Sequence, residues 1–555
     1  MSNLPLLKDL AFQYLLQHAP QVLETQDEEG WFWGGPEERS SSHQYVLYPL
    51  ALLYTTQRPD NPYYGAEQVR QAVLRAGDCA AREMHADGTF TFYSRGAEWG
   101  RQTDEWRIYF WHETYWLLRN QLDTSRREHW EAKLRTALEA IARHVQPQVG
   151  NENFGAEGEV PNHFCWHALA LYRGGQLTQN PQWQAWGADI LERVAQVQWE
   201  DGFWCEGGGP TTLYNYLTTM AVSLYAQFSG SEAAQAAVKR ALNFHLPFTY
   251  PNGAPVETID GRVRYRERAV PFLAPTWTRW PRGRGYLRFL LERLLAQPFG
   301  DGFSGYGFFG EVFRYLTEGE EEAVQFPTWH RLQNALAAIR RERGWTICFC
   351  GICLPPSDNR WHLDRQTHLS IWHDAVGLIT GGGNSKGQKR FSTFEVRPPE
   401  GEPTYLATHC ELKHKKQSDQ LRLWYNDLRF EVTVSILSER ALTIEAQVMR
   451  PDPQRILVMR LPLRFQAGET FATGAGKTWT LTEEELHLLS PQLRTELRYR
   501  NWRLKLPPQA TFRWPLYPYN PYHPEGQSSL EDAYAVIAHR LGTRRKKITW
   551  QLEVL

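Results

Sequence analysis

A glycine beside an acidic or amide residue and a large aromatic recurs five times in the first part of the chain. This recurrence constrains the fold more than any other feature. The stretches are Glu29-Gly30-Trp31-Phe32-Trp33, Asp87-Gly88-Thr89-Phe90, Asn151-Glu152-Asn153-Phe154-Gly155, Asp201-Gly202-Phe203-Trp204 and Asp301-Gly302-Phe303. Their starts lie 58, 64, 50 and 100 residues apart, the last being two steps of 50. A unit of that length holds two helices and two loops, so each repeat is a helical hairpin. The repeats are few and their loops carry large aromatics rather than a uniform short turn. Both features favour a closed (α/α) toroid over an open solenoid. In such a ring the inner helices start at one end, and their first turns converge.

The fourth loop shows what such a first turn carries. In Glu200-Asp201-Gly202-Phe203-Trp204-Cys205-Glu206-Gly207-Gly208-Gly209, three consecutive glycines let the backbone approach a ligand closely. Pro210 with Thr211 or Thr212 supplies a helix start. Leu213, Leu217, Met220, Ala221 and Leu224 then recur at helical spacing, which puts Tyr214 and Tyr216 in the first turn. Other repeats behave alike. Ser40-Ser41-Ser42 precede His43, Gln44 and Tyr45; Thr103 and Asp104 precede Glu105 and Arg107; Pro161-Asn162-His163 opens a helix carrying Trp166, His167 and Leu171.

Near residue 345 the pattern changes. Trp345 to Leu354 is a β-like apolar run. Alternating segments follow at Leu421 to Tyr425, Phe430 to Leu437, Leu442 to Val448, Ile456 to Leu461, Trp502 to Leu506, Ala533 to His539 and Ile548 to Leu555. Asp, Asn, Pro and Gly turns separate them, as in an antiparallel sandwich. The expected class is therefore a multidomain α+β protein: an (α/α) toroid of helical hairpins over residues 1–340 and an antiparallel β-sandwich over 341–555.

A chain of 555 residues is too long for one ordinary core, which fits two large domains or one very large one. A formal net charge of −1 provides no global field toward nucleic acid or an anionic membrane. Aromatic side chains make up 13%, with 23 Trp, enough to furnish a cleft that stacks on sugar rings as well as a core. Met1 to Val22 reads as an amphipathic helix without a basic leader or a cleavage site, so no signal peptide is expected. Nor does any run approach the roughly 20 apolar residues of a membrane span. Seven scattered cysteines favour reduced thiols in a cytoplasm.

Several fragments fail as motifs. Gly474-Ala475-Gly476-Lys477-Thr478 resembles a phosphate loop, but Phe471 stands where the first glycine belongs and no helix follows. Cys350-Gly351-Ile352-Cys353 lacks a partner pair and reads as a strand with buried thiols. His362, Asp364 and His368, with His409 and His414 further on, are candidate ligands for a structural divalent metal, though their spacing is not diagnostic. No cofactor or catalytic metal is expected.

What remains is a polar constellation in the helical half. The candidate catalytic residues are Asn162, His163, Tyr214, Tyr216, Glu206 and His112, the last also reading as an interior histidine among Trp106, Tyr109, Phe110, Trp111, Tyr115 and Trp116. The candidate substrate-binding residues are His43, Trp33, Asp104, Glu105, Glu113 and Trp204. Trp277, Arg279, Trp280 and Arg282 join them, because arginine interleaved with tryptophan suits anionic sugars through guanidinium–carboxylate pairs and ring stacking.

Asn162-His163, followed about fifty residues later by Asp201-Gly202-Phe203, Glu206-Gly207 and Tyr214, resembles the heparinase II/III-like and alginate lyase-like polysaccharide lyases. Trp361-His362-Leu363-Asp364-Arg365-Gln366-Thr367-His368, His373-Asp374 and Gly381-Gly382-Gly383-Asn384 are similar to their sandwich. A longer glycine insertion before Tyr214, and Asn215 where a histidine often follows the tyrosine, leave open which tyrosine acts. They also keep toroid glycoside hydrolases of uronic acid sugars in view. The resemblance implies β-elimination on a uronate-containing oligo- or polysaccharide. Asn162 and His163 would stabilise the charge developing on the substrate carboxylate, and a tyrosine would act as base, acid or both. A hydrolase would use paired carboxylates among Glu206, Asp104, Glu105, Glu113 and Glu98. A third reading is a glycan-binding protein without catalysis.

Overall fold

A computed structural model describes residues 5–34, 38–299, 303–333 and 336–555, so Asp301 and Gly302 of the fifth repeat lie outside the described residues. The chain divides into two compact units. One comprises Met1–Cys205, Leu213–Leu246 and Glu267–Val324. The other comprises Glu206–Thr212, Pro247–Arg266 and Gln325–Leu555. Most of the second unit follows residue 324, and it also takes in two earlier segments.

The first unit is helical: α1 (Leu7–Glu24), α2 (Leu47–Thr55), α3 (Glu67–Glu83), α4 (Glu105–Leu118), α5 (Thr124–Val145), α6 (Asn162–Leu177), α7 (Pro181–Val197), α8 (Thr212–Ser229), α9 (Glu232–His245), α10 (Pro281–Leu295) and α11 (Phe303–Tyr315). Burial separates these helices into two layers. In α2 and α4 nearly every residue is buried, whereas α3 buries a stripe of Val69, Ala72, Val73, Ala76 and Ala80. A helix apolar or paired all round is surrounded, and a striped one faces solvent on its other side. The first helix meets the last two: Phe12 packs on Phe313 at 5.1 Å between ring centroids, and the Tyr306 hydroxyl donates to the Leu15 carbonyl at 2.9 Å. That contact closes the ring of hairpins.

The recurring loops share one joint. Backbone bonds Gly30 N to Asp27 O, Gly88 N to His85 O and Gly202 N to Trp199 O form the same turn three times. The three glycines have φ of +93°, +85° and +89°. A Cβ on each would lie 2.2 Å from Arg75 O in α3, 2.4 Å from Thr136 O in α5 and 2.0 Å from Arg240 O in α9. Glycine is required at this joint for two reasons, a left-handed backbone and direct contact with the next hairpin's outer helix. The expected period follows from that contact.

A hairpin within the helical unit was not expected. Phe90–Ser94 pairs antiparallel with Ala97–Gln102 through Arg95 and Gly96 at φ of 51° and 79°, the left-handed pair that tight hairpins favour. Ser41 Oγ and Ser40 Oγ accept from the backbone N–H of Tyr93 and Arg95 at 3.0 and 2.8 Å, so this hairpin delivers Thr103 and Asp104 to the start of α4.

Among the described residues the second unit holds antiparallel sheets of nine and ten strands. The alternating segments read from the sequence are its strands, among them Ser418–Tyr425, Leu428–Ser438, Ala441–Val448, Ile456–Leu463, Trp502–Lys505, Tyr534–Leu541 and Lys547–Val554. Their inward residues, Leu421, Leu423, Val432, Ile444, Leu461 and Trp550 among them, form one core. No described helix is long and apolar enough to cross a membrane.

Candidate active site

The first turns of inner helices do meet. Asp104 caps α4, accepting from the Arg107 backbone N–H at 3.1 Å, and it also accepts the Tyr45 hydroxyl at 3.1 Å. Burial, and then the neighbouring Glu105 charge, push its carboxyl up to about 6. His43 lies against Phe303, at the start of α11, with ring centroids 4.8 Å apart.

Glu105 is the centre of the group. It is 3% exposed; Oε1 lies 2.6 Å from His163 Nδ1 and Oε2 3.4 Å from His167 Nε2. Burial opposes its charge, but the His167 and His163 imidazoles outweigh burial and hold the carboxyl below its usual range. An ionised carboxylate has only lone pairs to offer, so His163 Nδ1 carries the proton and Nε2 is left for a substrate. Nε2 has no hydrogen-bond partner among the described residues, and the side chain is 47% exposed. Trp106 supports the imidazole with ring centroids 4.5 Å apart. His167 is different: burial holds it down to about 4 against the pull of Glu105, and its Nε2 lies 2.9 Å from Thr103 Oγ1.

Asn162, next to His163, is wholly buried at the start of α6. The neighbouring α8 is in register with it. Glu159 pairs parallel with Cys205 just before the two helices, and Trp166 Nε1, one turn into α6, donates to Leu217 O, one turn into α8, at 3.0 Å. Both first turns therefore lie at the same end. Of the two tyrosines there, Tyr216 is 1% exposed, with its ring 3.7 Å from that of His245 and its hydroxyl 2.5 Å from the Tyr286 hydroxyl. Tyr214 keeps 9% exposure and is the more accessible phenol.

His112 and Glu113 lie two turns deeper on α4, in a separate buried layer. Glu113 accepts from Arg173 Nε at 2.7 Å and Arg314 Nη1 at 2.9 Å, and His112 Nδ1 lies 3.4 Å away. Glu311 accepts the Tyr109 hydroxyl at 2.9 Å; burial, and then the Glu113 charge, push its carboxyl up to about 8. This layer ties α4, α6 and α11 together.

The remaining candidates are scattered. Trp33 donates Nε1 to Asp27 Oδ2 at 2.8 Å, and the adjoining Gly34 lies against the His43 ring. Trp204 and Trp277 are core residues rather than a binding surface; their indole N–H groups donate to Val194 O at 2.7 Å and Val238 O at 3.0 Å. Arg279 is exposed, Trp280 is half-buried with Lys239 over its ring at 5.8 Å, and Arg282 Nη1 lies 3.4 Å from Asn243 Oδ1. Among the described residues none of these side chains bonds to Glu105 or His163.

Glu206 belongs to the second unit, where it is buried and ion-paired with Arg262. The glycines after it admit this unit's own side chains. A Cβ on Gly207 would lie 2.8 Å from the His362 ring, and one on Gly209 2.8 Å from the Arg365 guanidinium. The threonine at the start of α8 is itself held from elsewhere, since Asp260 Oδ2 accepts from the Thr212 N–H at 2.6 Å and hydroxyl at 2.9 Å. Three of the residues considered for a metal are engaged separately. His368 Nδ1 faces Cys350 O at 2.7 Å, His414 Nδ1 faces Asp419 at 2.6 Å, and Asp364 accepts from the Tyr405 hydroxyl and the Gly387 N–H. Among the described residues no group of three or more His, Cys, Asp or Glu is arranged to hold a metal ion.

Sequence reasoning did not single out Tyr45 or His167 for the site. His167 was within reach, because His163 and His167 are four apart and share a helix face. Tyr45 was not, since its tie to Asp104 spans 59 residues.

Residues 14–257 match the family described as the ulvan lyase N-terminal domain. In fold, the chain is similar to the chondroitin AC lyase of Streptomyces coelicolor A3 in complex with chondroitin sulphate, with a TM-score of 0.54, 12% identity, and coverage of 99% of this chain and 79% of that one. It is similar to heparinase III with a TM-score of 0.56, 11% identity, and coverage of 100% and 86%. A mutant heparan sulfate lyase from Pedobacter heparinus gives 0.50, 11%, 97% and 82%. No curated protein matches the sequence. These likenesses bear out a toroid joined to a β-sandwich and the resemblance to polysaccharide lyases of that architecture.

Proposed function

We infer that this chain is a polysaccharide lyase that cleaves an acidic, uronate-containing polysaccharide by β-elimination. The reading is supported by the family match over residues 14–257, and the observation that carries it is the buried Glu105 carboxylate 2.6 Å from half-exposed His163 beside Asn162. The reaction removes the weakly acidic C5 proton next to the sugar carboxylate. Its electron pair forms the C4=C5 double bond, and the C4–oxygen bond breaks. The negative charge building on the carboxylate during proton removal has to be met by fixed donors. His163 Nε2, protonated, donates to that carboxylate while Glu105 balances the imidazolium. Asn162 supplies an amide from a dry setting, where such contacts are strong. Tyr214 takes the C5 proton as a phenolate and gives it to the departing oxygen as a phenol.

Two of the carboxylates that hydrolysis would draw on are otherwise engaged: Glu113 by Arg173 and Arg314, Glu206 by Arg262. The similar proteins are named for ulvan, chondroitin and heparan sulfate, and these three polymers form the test panel. Elimination leaves an unsaturated uronate that absorbs in the ultraviolet. Rising absorbance with any of them supports the reading. New reducing ends without that absorbance would replace it with hydrolysis, and binding without turnover would leave a glycan-binding protein.

A further inference from the structure

The second unit carries a basic cleft that the elimination reaction does not use. It has a volume of about 580 Å³, and Arg390, Arg397, Arg460, Arg513 and Arg540 all line it. Strand register explains why they gather. Arg513 stands opposite His487 on one side and Val536 on the other, Ala538 is opposite Arg460, and Arg540 is opposite Val458, which in turn faces Glu395. Alternation along each strand puts all of these on one sheet face, with neighbouring strands about 4.8 Å apart. The middle of that face, Val458, Val536 and Ala538, is apolar.

This charge is poorly neutralised. Glu395 is buried and pairs with two of the five, Arg397 at 2.6 Å and Arg460. Arg390, Arg513 and Arg540 are exposed and form no ion pair or side-chain hydrogen bond among the described residues. His487 reports their convergence, since burial and then the Arg513 and Arg390 charges lower its proton affinity. In a chain of net charge −1, such a concentration of guanidinium is a local feature. Each fork matches a carboxylate or sulfate in two hydrogen bonds. Three unengaged forks, two on neighbouring strands and Arg390 in the short helical turn Lys389–Phe391, ask for several oxyanions at once, which a polymer supplies and a single small anion does not. No Phe, Tyr or Trp lines the cleft, so it lacks the stacking platforms of single-stranded nucleic acid sites.

We propose that this sheet face is a second, non-catalytic binding cleft for the acidic polysaccharide, taking carboxylate or sulfate groups of neighbouring sugars in the forks of Arg390, Arg513 and Arg540. The proposal rests on the reading of an acidic polysaccharide as substrate. It adds a holding site on the sandwich that raises retention of polymer without touching the reacting bond.

The test is equilibrium binding of polymeric ulvan, chondroitin sulphate and heparan sulfate, with inorganic sulfate as the small-anion arm. The parent is the full chain carrying His163→Ala, which keeps the polymer intact. The variant adds Arg513→Ala and Arg540→Ala, both exposed positions, with thermal unfolding confirming an unchanged fold. For at least one polymer, affinity should fall about tenfold or more and lose part of its salt dependence. With His163 restored, the arginine variant should keep its turnover of short oligosaccharides while KM for polymer rises. Equal polymer affinity in parent and variant overturns the proposal. So does a loss confined to inorganic sulfate, which would mark a general anion site. Arginine-dependent polymer binding without elimination would defeat the lyase reading alone; elimination with arginine-independent binding would defeat this proposal alone.

Discussion

Glu105 Oε1 lies 2.6 Å from His163 Nδ1, and each residue is in the first turn of its own inner helix. The pair is therefore assembled by the ring, because 58 residues and an outer helix separate the two in the chain. A buried carboxylate takes one imidazole nitrogen as its partner and so leaves the other to meet substrate. Glu105→Gln keeps the shape but removes the charge. We expect kcat to drop by about two orders of magnitude, with circular dichroism unchanged. His163→Gln should cost at least as much. Near-normal kcat in both variants would remove this pair from the reaction.

The two tyrosines at the start of α8 should separate cleanly. Tyr214→Phe should abolish elimination while leaving the melting temperature nearly unchanged. Tyr216→Phe removes one hydroxyl from a buried pair with Tyr286, and its effect should appear as about 1 kcal/mol of lost stability. Steady-state kinetics and thermal unfolding on both variants decide between them.

Glu311 makes stability pH-dependent. Its carboxyl is raised from 4.5 to about 8 in the folded chain, so the folded state holds a proton that the unfolded state has already released. Stability is therefore lost as pH rises between those values. Glu311→Gln cannot ionise yet can still accept the Tyr109 hydroxyl. It should be more stable than the parent at about pH 9, by on the order of 3 kcal/mol, with little difference near about pH 4. Denaturant titrations at the two pH values measure this, and a gain at low pH instead would refute the assignment.

The recurring joint can be probed with one methyl group. Gly202→Ala places a Cβ 2.0 Å from Arg240 O at a left-handed backbone position, and should destabilise by more than about 3 kcal/mol. Gly150→Ala is the control. Gly150 has φ of +69° with nothing within 4 Å of the added carbon, so only the backbone cost of about 1–2 kcal/mol applies. Equal losses would mean that the contact with α9 contributes nothing.

Much of this arrangement was legible in the sequence because it repeats. Glycine spacing gave the hairpins, and polar first turns after each loop pointed to Asp104, Glu105 and His163 together. Alternation exposed most of the strands. What the sequence concealed depends on distant partners. Trp277 sits among arginines and reads as a sugar platform, yet Val238, Tyr286 and His245 enclose it. Gly207 and Gly209 look like room for a ligand, while residues about 155 positions later fill that room. Phe90–Ser94 was hidden for a different reason, since a five-residue strand is brief beside the helical periodicity around it.

The turn at Gly30, Gly88 and Gly202 has an implication for how such rings are put together. Each hairpin docks on the next through a backbone carbonyl, a group every sequence possesses, so the interlocking surface carries almost no side-chain information. The circumference is then governed by how many hairpins are strung together, and a hairpin can be duplicated or deleted without a matching partner having to be invented.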